Sequence, residues 1–315
     1  MTHVGGLVRK VAGLASVAAL GAGMLAGLLA MATPAPSAPV VAALPDSSGD
    51  TLTTTLRPYL GLSGRLRAVS VSADSARVSP LAALVPALAA GQPGLHPTGL
   101  SAPDGGPISA LALVPLRAKR GALWNGYRVG YWPGERTGRA PSRYPLPEGF
   151  LEVTPENQDQ PLSVSFRVRD FLTHDQAQVW PKVLVIQLPL LDKLELIAAE
   201  LEALGKPSAL RVMSGFRTPQ YNALGVGARG GRARDSRHMY GDAADIFVDA
   251  DGNGQMDDLD GDGRVTVRDA RWLAGLADRV EQAHPTVTGG IGVYRATAAH
   301  GPFVHVDVRG TPARW

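Results

Sequence analysis

The chain has no cysteine. That excludes disulfide stapling and any thiolate metal site, so stability must come from a buried core. Without a cysteine beside the N-terminal apolar run, lipid attachment there is excluded too. There is little excess charge, +3 over 315 residues, which offers no footing for nucleic acid as a partner. Aromatics are scarce at 6%, and Trp124, Tyr127, Tyr131 and Trp132 stand close together, as packing groups or as a glycan contact. No HExxH helix occurs, which excludes that zinc motif. What is present is a 45% apolar fraction, enough to build a core.

Histidine is the next clue. Of the seven (His3, His96, His174, His238, His284, His300 and His305), His3 sits in a leader, His96 in a Pro/Gly-rich stretch and His284 at a helix end. Two others stand out. His238 lies in SRHMYGDAADIF, seven residues before Asp245 and on the far side of the Gly241 turn, and His305 lies in FVHVDVRG. Two imidazoles and a carboxylate from separate segments are the usual protein ligands of a catalytic zinc, with the fourth position left to water. Such a metal lowers the pKa of bound water to about 7 and polarises a carbonyl.

Along the chain, Arg9 and Lys10 precede an uncharged run, Val11 to Leu29, and Ala30-Met31-Ala32 supplies small residues for cleavage. Residues 1–32 therefore read as a secretory signal or as an uncleaved membrane anchor, and either makes the protein an exported one. The span 33–106 opens as a Pro/Ala-rich linker and then carries no assignable pattern. A β-rich segment follows over 107–160, with a hairpin expected between Ile108–Leu116 and Leu123–Trp132. In the rest, 161–315, Leu190, Leu194, Ile197, Leu201 and Leu204 recur at helical spacing before Gly205. Thr218-Pro219 signals a helix start, and Trp272, Leu273, Leu276, Ala277 and Val280 mark another helix. Short strands are expected at Leu210 to Ser214, Ala243 to Val248, Gly290 to Tyr294 and Phe303 to Val308. Strands and helices do not alternate as βαβ units. The expected class is α+β: a small, largely antiparallel sheet with flanking helices carrying the zinc site, and an N-terminal β-containing extension. Arg229, Arg232, Arg234 and Arg237 precede the metal motif as a solvated loop or a patch that steers anionic polymer.

Three segments in order, SGFRTPQYN, SRHMYGDAADIF and GGIGVYRATAAHGPFVHVDVRG, resemble the zinc D-Ala-D-Ala metallopeptidases of the lysostaphin, D-Ala-D-Ala peptidase and hedgehog group. The nearest likeness is to the periplasmic murein endopeptidase branch. The resemblance implies zinc held by His238, Asp245 and His305, and peptidoglycan stem peptides as substrate for a monomeric enzyme. It casts Arg217 as the arginine that binds substrate or the developing oxyanion, a role suited to a fixed fork of donors. Many carboxypeptidase members have an acid three residues before the last histidine; Pro302 stands there instead. Asp307, two residues after His305 and on the same strand face, is the first candidate for the base or for a partner that orients a ligand, and His300 is the second. Endopeptidase action is favoured. D-Ala-D-Ala carboxypeptidase action, or a non-catalytic calcium-dependent wall-binding role, stand as alternatives.

The acidic stretch Asp249 to Asp269 has EF-hand chemistry, in which oxygen ligands alternate and a glycine takes the sixth place. One loop uses Asp258, Asp260, Asp262, Gly263, the Arg264 carbonyl, Thr266 and Asp269, and it resembles a dockerin-type calcium loop. A second, overlapping loop uses Asp249, Asp251, Asn253, Gly254, Asp257 and Asp260. The expected cofactors are Zn2+ and one or two Ca2+. Position twelve is Asp rather than Glu in both loops, so calcium affinity should be modest.

Overall fold

The computed structural model describes residues 60–71, 80–140, 143–206, 208–227 and 231–315. The leader or anchor expected over 1–32 lies outside the described residues, as does Arg229. Among the described residues no helix is long and apolar enough to cross a membrane.

Helices and small sheets are mixed in order, an α+β arrangement. The first sheet sits largely in the span that carries no pattern in sequence. It is built from β1 (Ala68–Val71), β2 (Gly94–Ser101) and β3 (Pro107–Ala112) in the order β1-β3-β2. A short helix, α1 (Pro86–Ala89), covers it, and Leu60, Val69, Leu88, Ile108 and Ala110 close a small core. Its pattern is hidden because β2 contains Pro97 and two glycines, and its register shifts between Pro97 and Ser101.

The expected hairpin between 108–116 and 123–132 does not form. β3 pairs with β1 and β2, while β4 (Val114–Pro115) pairs with β7 (Gly149–Val153). Pro115 has no N–H to extend the ladder, and a 3-10 turn at Leu116–Ala118 redirects the chain. A smaller hairpin of β5 (Leu123–Trp124) and β6 (Tyr127–Arg128) forms instead, around Asn125-Gly126, both at positive φ as a tight hairpin turn requires. The strand β8 (Lys182–Leu184) completes the sheet β4-β7-β8.

The helix α2 (Leu188–Ala203) buries Leu190, Leu194, Ile197 and Leu201 as their spacing predicts. Leu204 is the C-cap and is exposed, and Gly205 follows in the left-handed region, so the apolar stripe ends one turn earlier than the periodicity suggests. The main sheet runs β13-β11-β12-β10-β9. Its strands are β9 (Leu210–Ser214), β10 (Ala243–Val248), β11 (Gly290–Tyr294), β12 (Phe303–Asp307) and β13 (Ala313–Arg314), antiparallel except where β13 joins β11. Between β9 and β10 lies α3 (Pro219–Leu224), whose N-cap Thr218 accepts from the Tyr221 N–H at 3.1 Å. The helix α4 (Val267–Ala283) packs its Leu273, Leu276, Ala277 and Val280 stripe against β11, β12 and α2.

One ion pair is sealed where these elements meet. Lys193 of α2 is 0% exposed; its Nζ bonds Glu281 of α4 and donates to the Asp307 carbonyl of β12 at 2.8 Å. Glu281 also accepts from the Gly289 N–H at 2.9 Å. The pair thus joins both helices to the strand that carries His305.

Candidate metal centre

Register builds the centre. Asp245 on β10 lies directly opposite His305 on β12, so their side chains share a face of the sheet. His238 enters from a 3-10 turn, Arg237–Tyr240, which ends at Gly241. Gly241 has φ +67, and a Cβ there would overlap the Val185 backbone, so only glycine lets this turn close onto β8's flank. Three atoms converge as a result. His238 Nε2 is 3.2 Å from His305 Nδ1 and 3.3 Å from Asp245 Oδ1, and His305 Nδ1 is 3.0 Å from the same oxygen. Tetrahedral zinc with ligands at about 2.0–2.2 Å needs donor atoms roughly 3.3–3.5 Å apart. The donor set fits that ion, and its 3.0–3.3 Å spacings come within a few tenths of an ångström of the need.

Each donor is oriented from behind. The outer nitrogen of His238, Nδ1, donates to the Gly215 carbonyl at 2.7 Å, which leaves Nε2 as the ligand atom. His305 turns its other nitrogen, Nε2, to Asp307 Oδ2 at 3.2 Å. Asp245 Oδ2 accepts from Arg217 Nη2 at 2.8 Å. Burial pushes the His238 imidazole below its ordinary pKa, toward the neutral form a metal needs. Burial also opposes charge on His305, but the Asp245 and Asp307 carboxylates outweigh it and hold that pKa up. Asp245 is held well below the carboxylate range: burial works against this, and His238 and His305 together overcome it.

Asp307 is 0% exposed. Besides His305 it binds Arg309, with Nε at 2.8 Å from Oδ1, and accepts the Gly290 N–H at 2.8 Å. Burial would raise its pKa, yet the bonds from His305, Arg309 and Gly290 hold it far below the carboxylate range. A carboxylate so enclosed is a poor proton acceptor and a good clamp for His305. The glycines of β11 make this possible. A Cβ on Gly290 would overlap the Asp307 carboxylate, and one on Gly292 the Trp315 indole, which lies 5.3 Å from the His305 ring.

Three of the aromatics near residue 130 serve packing. Tyr127 and Trp132 are buried, and Trp132 Nε1 donates to the Met239 carbonyl at 2.6 Å, bracing the turn that carries His238. Trp124 donates to Glu152 at 2.6 Å and packs edge-on against Phe150. The described arginines before the motif have different partners. Arg237 pairs with Asp242 at 2.8 Å, Arg232 donates to the Tyr221 carbonyl at 2.6 Å, and Arg234 is exposed.

The three donors lie in an open cleft that Arg217, His300, Tyr144, His174 and Trp315 also line. Arg217 is tied to Ser214 Oγ at 3.0 Å and to Asp245, and its remaining donors are available to a ligand in the cleft. His300 Nδ1 donates to the Gly301 carbonyl at 2.8 Å, which makes Nε2 the acceptor of its neutral ring. Among the residues around the centre, His174, Tyr144 and Trp315 carry no local signal in the sequence, whereas Arg309 stands two residues after Asp307, just past the end of β12, a spacing within reach of a short-range ion pair.

In the acidic stretch, Asp258, Asp260 and Asp262 bring ligand oxygens within 4.8 Å of one another, but Arg268 bonds Asp260 at 3.0 Å and Asp262 at 2.8 Å. At the far end of that loop Thr266 and Asp269 form the capping box of α4, with Asp269 accepting from Thr266 at 2.7 Å and Leu259 at 2.8 Å, and exposed Arg264 donates its N–H to Asp262, which leaves its carbonyl unengaged by that bond. Asp249, Asp251 and Asp257 form a separate group.

Residues 169–259 match the family model described as Peptidase M15. The match spans under a third of the chain and includes Arg217, His238 and Asp245, but stops before His305. No curated protein and no solved structure matches the chain.

Proposed function

We propose that this protein is a zinc-dependent peptidase of peptidoglycan stem peptides or their cross-links, acting as an endopeptidase. The carrying observation is the convergence of His238 Nε2, His305 Nδ1 and Asp245 Oδ1 within 3.0–3.3 Å at the base of an open cleft. The partial Peptidase M15 match over 169–259 supports the same reading. Zinc bound there supplies Lewis acidity and lowers the pKa of water. The chain's own groups do the rest. Arg217 presents fixed donors to a substrate carbonyl or carboxylate, in a partly dry site where such contacts are strong. His300, which lines the cleft with its Nδ1 engaged by Gly301, takes up a proton through Nε2 in this reading, and Asp307 positions His305. Such a substrate lies outside the cytoplasm, so the reading requires export, which the N-terminal basic and apolar run provides for. A monomer suffices, since every residue invoked belongs to one chain.

Mass spectrometry of muropeptides before and after incubation tests the proposal. Cleaved stem peptides or cross-links are expected, with cleavage lost to a zinc chelator and restored by zinc. Release of terminal D-Ala alone would make the enzyme a carboxypeptidase. Zinc binding with no turnover of any muropeptide would leave a wall-binding protein.

The role of Asp307 has its own test. As the positioning residue for His305, Asp307→Asn should weaken zinc binding by about 10- to 100-fold, with turnover largely recovered at saturating zinc. A turnover loss of about 100-fold at full zinc occupancy would instead make it the base.

A further inference from the structure

The loop leaving β10 holds a buried carboxylate with one oxygen unpartnered. Asp249, Asp251 and Asp257 each bring one oxygen within 4.8 Å of the others. Among the described residues no ion pair reaches any of the three, and the nearby Arg268 is spent on Asp260 and Asp262. Asp249 is only 5% exposed. Its Oδ2 accepts from the Gly254 N–H at 3.2 Å, but its Oδ1 is buried with no partner at all. A carboxylate oxygen is rarely left so, because burying it unpaired costs several kcal/mol. The loop's own turns do not account for it: Asp251 serves Asn253, and Asp257 serves the Ala250 N–H at 2.8 Å.

We propose that residues 249–257 bind a calcium ion, with Asp249 as the buried anchor ligand. Asp251, the Asn253 side-chain oxygen, the Gln255 carbonyl and Asp257 supply the alternating oxygens, and Gly254, at φ +78, makes the sharp turn between them. The donors are all oxygen, which selects a hard cation, and an irregular flexible loop suits calcium better than magnesium with its strict octahedron. Asp260, at the twelfth place, is paired with Arg268, so no closing bidentate ligand comes from it and affinity falls in the range of about 0.1–1 mM. The neighbouring group of Asp258, Asp260 and Asp262 has no orphaned buried oxygen and already holds an arginine, so it carries no such proposal.

The ion would act on the cleft. Both ends of the loop are tied to the main sheet's margin, Asp249 N–H to the Ala209 carbonyl and Asp257 N–H to the Val248 carbonyl, each at 2.9 Å. Gln255 in turn lies against Gly301, where a Cβ would come 2.6 Å from Gln255 Oε1. Gly301 follows His300, and its carbonyl accepts a hydrogen bond from His300 Nδ1. Calcium on the Gln255 carbonyl therefore stiffens the wall of the cleft that bears His300.

Calcium chloride titrated calorimetrically into the full chain, with thermal melting alongside, tests this without any hydrolysis readout, so its failure is separate from failure of the peptidase reading. Saturable binding is expected, with a melting rise of about 5 °C or more at a hundredfold excess over Kd. Asp251→Ala should remove both; Asp251 is exposed and bonds only within the loop, so the fold should survive. Asp249→Asn should raise the melting temperature without calcium and abolish the response to it. Asp258→Ala should leave the response in place. No calcium response, a response that survives Asp251→Ala, one lost only in Asp258→Ala, or one that magnesium chloride matches at equal concentration would each overturn the proposal.

Discussion

His305→Ala and His238→Ala are each expected to abolish hydrolysis, with circular dichroism near native. Each removes one of three converging donors. Loss of a partner behind a zinc ligand already costs about 10- to 100-fold in affinity, so loss of a ligand itself should leave the protein metal-free at micromolar zinc. Zinc content by elemental analysis, read beside muropeptide turnover, checks both halves. His305→Ala carries a second consequence. It removes a bond from Asp307 and uncovers the Trp315 face, so indole fluorescence should change even where the melting temperature does not. Full turnover in either variant would end the zinc-peptidase reading.

Lys193→Met should destabilise the protein by about 3–5 kcal/mol, because it leaves Glu281 charged and buried against α2. Arg314 still reaches Glu281 at 2.5 Å, which places the effect at the lower end of that range. For a domain of this size the melting temperature should fall by roughly 10 °C. Added salt should not reproduce the loss, since the pair is shielded from solvent. The double variant Lys193→Met, Glu281→Gln should recover part of the stability. Urea unfolding of the three forms measures this, and equal midpoints for wild type and Lys193→Met would mean the pair contributes no net stability. Lys193 also donates to the Asp307 carbonyl, so the single variant should loosen zinc as well.

Several elements were legible because their signals are local. The stripe Leu190, Leu194, Ile197 and Leu201, the Thr218-Pro219 start of α3 and the Gly205 stop each depend on contacts within a turn or two. Thr266 and Asp269 show a local signal with two meanings: a Thr-x-x-Asp spacing suits the ninth and twelfth places of a calcium loop and also a capping box, and the structure shows the bonds of the cap. The hairpin expected around Arg117 failed for another reason: β3 and β4 chose partners far along the chain, and Pro115 broke the run. The sheet over 60–112 was hidden because Gly and Pro interrupt its alternation.

Sequence alone determined the inventory of chemistry. Without cysteine, the metal donors had to be histidine and carboxylate, and only His238 and His305 stood in strand-and-turn contexts fit for the task. Tertiary structure decided the rest. The pairing of Asp245 with His305, the Gly215 carbonyl behind His238 and the Gly290 N–H on Asp307 join residues 60, 23 and 17 positions apart. The same is true of Asp249, whose stranded oxygen follows from burial rather than spacing. Spacing fixes which side chains share a face over a few residues. Register, burial and the free oxygen of a buried acid depend on which distant strands pair, and a local pattern carries no information about that.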